Sequence, residues 1–299
     1  MFSIVTLYYR GDRFLDGLKE NLRNQIGGHS FEWIIVDDYS NDGISHTELQ
    51  RISSSSVFEI KCIFLEKNYL GSESVRRALE ILEGEYTIIL DQDDKLTLDG
   101  LDLFSKALKR HADQEKIAGI CGRCVDQNGY IVGKKFPYDE IVANEPTIRH
   151  VYRIKGEFFQ CTRSEILRSH IKDFEPGYTN GWLWNEISRS YDYVYVNSVV
   201  RMYNQNNPSS LSRSKKIRLQ NAQYKQGLKY INDNAEYMQF DKLGFLRIIL
   251  QFARISIHSE VKLSELFDVL SRKIFKWVVF VWPLACVRVF IDRARGALN

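Results

Sequence analysis

The first 111 residues alternate between short apolar runs and stretches with helical periodicity, and few folds accommodate that order. Residues 2–8 (FSIVTLY) are a β-branched and aromatic run, a buried strand by type. Residues 12–25 place Phe14, Leu15, Leu18 and Leu22 at helical spacing, and Gly27-Gly28 closes that helix. A second strand over 31–36 ends at Asp37-Asp38, and polar residues 39–46 make a loop. Residues 58–65 form a third strand, 72–83 a helix stopped by Gly84, 85–90 a fourth strand ending at Asp91, and 98–111 another helix. Such alternation predicts an α/β fold, a mainly parallel sheet with helices on both faces. Ligands in such sheets sit beyond the carboxyl ends of the strands. Two acidic clusters, Asp37-Asp38 and Asp91–Asp94, fall at those ends, which suggests one shared site.

The second half is less regular. Residues 117–124 and 130–136 read as a strand pair around the turn Gln127-Asn128-Gly129. Residues 157–162 read as a strand, 181–190 as a helix and 193–202 as a strand. From about 215 the pattern is helical, with Pro283 as the main interruption. The expected organisation is one domain over 1–213, in halves 1–115 and 116–213, and a helical C-terminal extension over 214–299.

A net charge of +3 does not suggest nucleic-acid binding. The charge is unevenly placed: Arg213–Lys229 holds six Lys/Arg and no acid, and Arg272–Arg295 holds six against Asp292 alone. The five cysteines are scattered and odd in number, which suits a reducing, cytosolic setting better than a disulfide framework. Cys121 and Cys124 form one C-x-x-C with no second pair, so two small strand residues is the plainer reading. No signal peptide is expected at the N-terminus. Trp277–Ile291 is almost wholly apolar but shorter than the roughly 20 residues a membrane span needs, which leaves an interfacial segment or a buried helix.

The segment Leu90–Asp94 (LDQDD) is the densest chemical signal. Three carboxylates in four residues repel one another unless a cation sits among them. Mg²⁺ or Mn²⁺ typically takes one or two protein carboxylates plus substrate phosphates, and neutralises charge on a departing diphosphate. A solvated turn capping the next helix through Thr97 or Asp99 is the alternative. In Asp37–Gly43 (DDYSNDG) a carboxylate beyond a strand can accept from a base N–H or a ribose hydroxyl, or the segment is an Asx-type loop.

Taken together, these stretches resemble the nucleotide-binding half of the inverting glycosyltransferase family 2, bacterial surface-polysaccharide type. The resemblance runs through Ser3–Tyr9, Ile34–Gly43 (IIVDDYSNDG), Asn68, Gly71 and Arg76, and Gly84–Asp94 (GEYTIILDQDD). It implies the GT-A fold, a Rossmann-like mixed, mainly parallel sheet flanked by helices, with 1–115 as the nucleotide-sugar-binding half. Thr6 and Tyr8 would line the base pocket. Asp38 would contact the base, most often uracil, with Asp37 beside it, and Arg76 would help hold the nucleotide. Asp91 and Asp93, with Gln92 between them, would meet ribose, diphosphate and metal. Asp93 and Asp94 are the expected ligands of Mn²⁺ or Mg²⁺. Thr6 and Tyr8 could equally be plain strand residues, and Arg76 a surface helix charge.

The acceptor half, 116–213, is looser. Lys155-Gly156-Glu157, Thr162 and Glu165 look like the segment preceding the active-site helix, and Tyr178–Tyr191, with Tyr193–Tyr203 after it, like that helix and the next strand. Where many family members carry an acid just before the helix, this chain has Thr179, Asn180 and Gly181. Inverting displacement needs a carboxylate to take the acceptor proton. Glu186 and Glu175 are the candidates, with Asp173 nearby. Trp182 and Trp184 could stack on a sugar, though they lie too close in sequence to share a helical face. Tyr203–Arg213 resembles a loop closing over the donor diphosphate through Ser210, Ser212 and Arg213, or is an ordinary polar loop.

The C-terminal segment sets Lys273, Lys276, Trp277 and Trp282 beside aliphatic residues with Arg288, Arg293 and Arg295 beyond, as interfacial helices do. Packing on the domain, or dimerisation, is the other reading. The expected function is transfer of a sugar from a UDP-sugar or other NDP-sugar to a glycan or lipid-linked saccharide in polysaccharide biosynthesis. The expected location is cytoplasmic, at the inner face of the membrane if the interfacial reading holds. A sugar-1-phosphate nucleotidyltransferase and a non-catalytic nucleotide-sugar-binding protein are the alternatives.

Overall fold

A computed structural model describes residues 1–54, 57–172, 174–175, 178–205 and 220–296. The chain divides into two compact units, Met1–Glu145 with Ile154–Asn207, and Pro146–Arg153 with Pro208–Asn299. The expected boundary at 213 lies outside the described residues.

The first unit is an α/β domain. Among the described residues its strands are β1 (Phe2–Tyr8), β2 (Phe31–Asp37), β3 (Ile60–Phe64), β4 (Tyr86–Ile89), β5 (Lys95–Leu96), β6 (Ile117–Val125), β7 (Glu140–Ala143), β8 (Phe158–Arg163) and β9 (Asp192–Met202). They form one sheet in the order β3-β2-β1-β4-β8-β6-β9-β5, with β7 paired to β9. The first four run parallel; β8 is antiparallel to both β4 and β6. The sheet carries α1 (Asp12–Arg23), α2 (Ser45–Ser54), α3 (Ser72–Ile81), α4 (Gly100–Arg110), α5 (Ser164–His170) and α6 (Asn180–Ile187). Leu15, Leu18 and Leu22 of α1 are buried, as their spacing predicts. They join a core with Ile4, Trp33, Ile35, Leu90 and Phe104.

Several elements depart from expectation. Residues 130–136 do not form a strand: only Ile131 bridges back to Val125, because Gly133 turns at φ +108° and Phe136 N–H is taken by the Asn197 side chain. Helix α2 begins inside the loop expected over 39–46 and continues through residues given no expectation; its apolar face is short, with only Leu49 and Ile52 buried among polar neighbours. Cys121 and Cys124 are both buried on β6, and their odd separation sends them to opposite faces of the sheet. That favours the plain strand reading of the C-x-x-C.

Strands β6 and β8 approach so closely that only glycine fits at position 119. A Cβ there would lie 2.0 Å from Cys161 O. Gly119→Ala should therefore destabilise the domain by about 1–3 kcal/mol, read as a lower urea midpoint with an unchanged slope. An unchanged midpoint would show that the strands can separate freely.

The second unit is helical: α7 (Gln220–Asp233), a 3₁₀ turn (Ala235–Gln239), α8 (Lys242–His258), α9 (Leu263–Val269) and α10 (Arg272–Ala294). Ile249, Phe252 and Ala253 of α8 pack with Ile274, Val278, Val281 and Ala285 of α10. Asp292 of α10 is gripped by Arg254 and His258 of α8 at 2.6 and 2.9 Å. Pro146–Arg153, which contains a π-helical turn, belongs to this unit because His150 meets the Tyr230 hydroxyl at 2.9 Å and the rings of Tyr237 and Phe245. Pro283 does not interrupt α10. Its ring lies on the exposed side, and Val281 and Ala285 hold the helix to α8 across it.

Candidate active site

Because β1 lies between β2 and β4, three chain segments leave the sheet side by side at its carboxyl edge. Asp38 N–H donates to Tyr8 O and Leu90 N–H to Val5 O, both at 2.8 Å. Beyond the sheet the loops are tied to one another. The Gln92 amide closes on Tyr9 in both directions, accepting from its N–H at 2.9 Å and donating to its carbonyl at 3.1 Å. The next residue, Arg10, donates from its backbone to the Ser40 hydroxyl and from its guanidinium to the Ser40 carbonyl. Ser40 in turn donates from N–H and hydroxyl to Asp37 Oδ1. One hydrogen-bonded chain thus runs from the Asp91–Asp94 loop to the Asp37-Asp38 loop.

Asp38 organises a neighbouring loop. Its two oxygens accept from Tyr69 N–H at 2.7 Å and Gly71 N–H at 2.8 Å, while Asn68 donates to its carbonyl. Gly71 stands at φ +90°, a left-handed conformation that glycine adopts without strain. The Asp-Asp and Asn-x-x-Gly signatures are therefore hydrogen-bonding partners. Burial raises the pKa of Asp37 and Asp38, and the hydrogen bonds pull it back.

Three expected nucleotide contacts have other structural roles. Thr6 is fully buried and accepts from Trp33 Nε1, and Tyr8 is fully buried with its hydroxyl donating to Ser45. Both are strand residues of the core, the plainer of their two readings. Arg76 lies on α3 between Glu73 and Glu80 at 2.5 and 2.6 Å, as a surface helix charge.

The loop after β4 is electrostatically demanding. Asp94 is buried; Oδ1 accepts Asn204 N–H at 2.8 Å, while Oδ2 has no hydrogen-bond partner and faces Arg201 Nη1 at 3.4 Å. Desolvation pushes the Asp94 carboxyl up to about 7, with Arg201 opposing and Asp91 adding. Asp91 is exposed to solvent. Its pKa is likewise raised, by desolvation first, with Arg201 opposing and Asp93 and Glu157 adding. Arg201, buried near the end of β9, stacks on Phe159 at 4.7 Å and Tyr203 at 4.6 Å and approaches Glu157 at 3.5 Å.

Arg201, Glu157 and Asn204 thus complete the cluster; Glu157 and Asn204 fall in stretches that the family resemblance already singles out, but none of the three is assigned a role by it. A lone arginine at the end of the apolar run of β9 is the available signal, since a charge so placed needs a partner. Among the described residues no group of three or more His, Cys, Asp or Glu is arranged to hold a metal ion. The donor set does fit a cation held by one or two carboxylates and completed by phosphate oxygens: Asp94 Oδ2 is buried and lacks a hydrogen-bond donor, and Asp91 is open to solvent beside it in the loop.

The acceptor-side candidates are placed differently. Glu186 lies on α6, largely shielded, 3.7 Å from Arg189. Glu175 is exposed ahead of that helix. Trp182 is core, packed with Phe174 and Tyr178, whereas Trp184 is half-buried. Asp173, Ser210, Ser212 and Arg213 lie outside the described residues.

The sequence matches the model of glycosyl transferase family 2 over residues 3–172, more than half the chain and both aspartate loops, with Arg201 and Asn204 beyond the match. The chain belongs to that family. No curated protein matches it. Its fold is similar to that of S. aureus TarS 1-349 in complex with UDP-GlcNAc, with a TM-score of 0.63 and 15% identity over 99% of this chain and 92% of that one. It is also similar to the mannosyltransferase PcManGT from Pyrobaculum calidifontis in complex with GDP-Man and Mn²⁺, with a TM-score of 0.57 and 13% identity over 97% and 87% of the two chains. At these identities the likeness establishes the family 2 fold, the GT-A arrangement of a mixed sheet flanked by helices with C-terminal helices beyond.

Proposed function

We propose that this glycosyltransferase moves one sugar, with inversion, from a nucleoside-diphosphate sugar to a saccharide hydroxyl, uridine being the expected base. The observation that carries this reading is the Asp91–Asp94 loop at the carboxyl edge, with buried Asp94 balanced against Arg201. The two solved structures in complex with UDP-GlcNAc and GDP-Man support a nucleotide-sugar donor. The saccharide would be part of a surface glycan or a lipid-linked precursor.

Asp94 and the expected Asp93, with the open Asp91 carboxylate beside them, would hold Mn²⁺ or Mg²⁺, which when bound would supply positive charge against the departing diphosphate. The chain's own residues do the positioning. Gln92 locks the loop to Tyr9, and Asp38 holds the 68–71 loop beside it. Arg201 keeps the Asp94 carboxyl in place and lowers the cost of its charge. Displacement at the anomeric carbon breaks its bond to the diphosphate oxygen as the acceptor oxygen bonds from the opposite face, and a carboxylate takes the acceptor proton. Glu186 and Glu175 are the family-derived candidates for that carboxylate. Glu157 joins them because the fold brings it beside Arg201 and within electrostatic reach of Asp91.

A thermal-shift panel of nucleotide-sugars, with and without Mn²⁺, tests the reading. A cognate donor at about 100 times its Kd should raise the melting temperature by roughly 5–10 °C with metal, and by about half that or less without it. No shift with any nucleotide-sugar in either condition would overturn it.

A further inference from the structure

Helix α10 has two unlike faces. Ile274, Val278, Val281, Ala285, Val289 and Asp292, at helical spacing, are buried, most of them against α8. The opposite stripe, Lys273, Lys276, Phe280, Leu284, Val287 and Ile291, is exposed along its whole length, with Phe290 at its side. Phe280 and Phe290 are 72% and 74% exposed. Six cations, Arg272, Lys273, Lys276, Arg288, Arg293 and Arg295, bracket the apolar stretch, and all are exposed. Asp292, the one acid, is buried and taken up by Arg254 and His258. The exposed face therefore carries uncompensated positive charge at both ends.

We propose that this face lies on a lipid bilayer whose surface carries anionic headgroups. A large exposed apolar face on a well-packed helix calls for a covering partner. Charge selects among partners. A second copy docking through the same face would set cations against cations whether the helices ran parallel or antiparallel, which is repulsive. Anionic headgroups match both cationic ends while the acyl boundary takes Phe280, Leu284, Val287 and Phe290. The helix is long enough to cross a membrane and contains 18 residues with a mean hydropathy of 1.9. Its opposite face and Asp292 are nonetheless committed to α8, so it lies in the interface rather than through it. The proposal is independent of the glycosyl-transfer reading.

Flotation of the full chain with vesicles tests it. The bound fraction should rise at least about tenfold when phosphatidylglycerol is mixed into phosphatidylcholine, and fall as salt is raised past physiological strength. Phe280→Ser with Phe290→Ser should abolish binding while leaving the melting temperature unchanged. Lys273→Gln with Lys276→Gln should weaken it by about fivefold for each charge removed. Equal binding to both vesicle types, salt-insensitive binding, or retained binding by the phenylalanine variant would overturn the proposal. So would a dimer in vesicle-free solution that the phenylalanine variant dissociates.

Discussion

Asp93→Ala is expected to lower glycosyl transfer by at least about a hundredfold to a thousandfold, the usual loss when a group stabilising transition-state charge is removed. The fold should survive, because Asp93 is a half-buried turn residue and its loop is also tied down by Gln92 to Tyr9 and by Asp94 to Asn204. Circular dichroism and the urea midpoint of the variant should therefore stay close to wild type, so that the loss reads on chemistry rather than on folding. Chelation of the wild type should reproduce the loss, and the variant should be indifferent to chelator. Wild-type rates from Asp93→Ala, measured as released nucleoside diphosphate, would show that this residue plays no part in transfer.

Arg201→Gln should have the largest effect on stability. Arg201 is buried, and the desolvated Asp94 carboxylate faces its guanidinium at 3.4 Å. Removing one partner of a buried pair leaves an uncompensated charge, at a cost of about 3–5 kcal/mol. Stacking on Phe159 and Tyr203 is lost as well. The buried charge itself can be relieved by a second change. Asp94→Asn keeps an oxygen for Asn204 N–H and removes the ionisable group. The double variant should therefore recover part of the loss, a coupling of about 1–3 kcal/mol in a double-mutant cycle of urea unfolding. Strict additivity would show that the two side chains do not interact. Neither variant should transfer sugar well, since Asp94 is an expected metal ligand.

The parallel half of the sheet is legible in the sequence because most of its strands are buried on both faces and read as apolar runs. The placement of Asp37-Asp38 and Asp91–Asp94 comes from where those runs end. What pairs with what is not legible. Asp38 reads as a base contact when the sequence is taken alone, yet it first serves the backbone of Tyr69 and Gly71, thirty-one and more positions away. Arg201 is more than a hundred positions from Asp94, and no local pattern carries a contact of that separation. Thr6 and Tyr8 show the converse. A hydroxyl at a strand end near a site suggests a ligand contact, but the side-chain direction that sends them to Trp33 and Ser45 is decided by packing. The short antiparallel elements β5 and β7 have two and four residues, too few for any periodicity to register.

If the loop after β4 binds a metal ion together with a diphosphate, each should strengthen the hold on the other. Titration calorimetry of a nucleoside diphosphate into wild type and Asp93→Ala, each with and without Mn²⁺, measures that directly. Mn²⁺ should tighten wild-type binding by at least about tenfold, or 1.4 kcal/mol, and do nothing for the variant. Equal affinity with and without Mn²⁺ in the wild type, matched by the variant, would contradict a joint metal and diphosphate site.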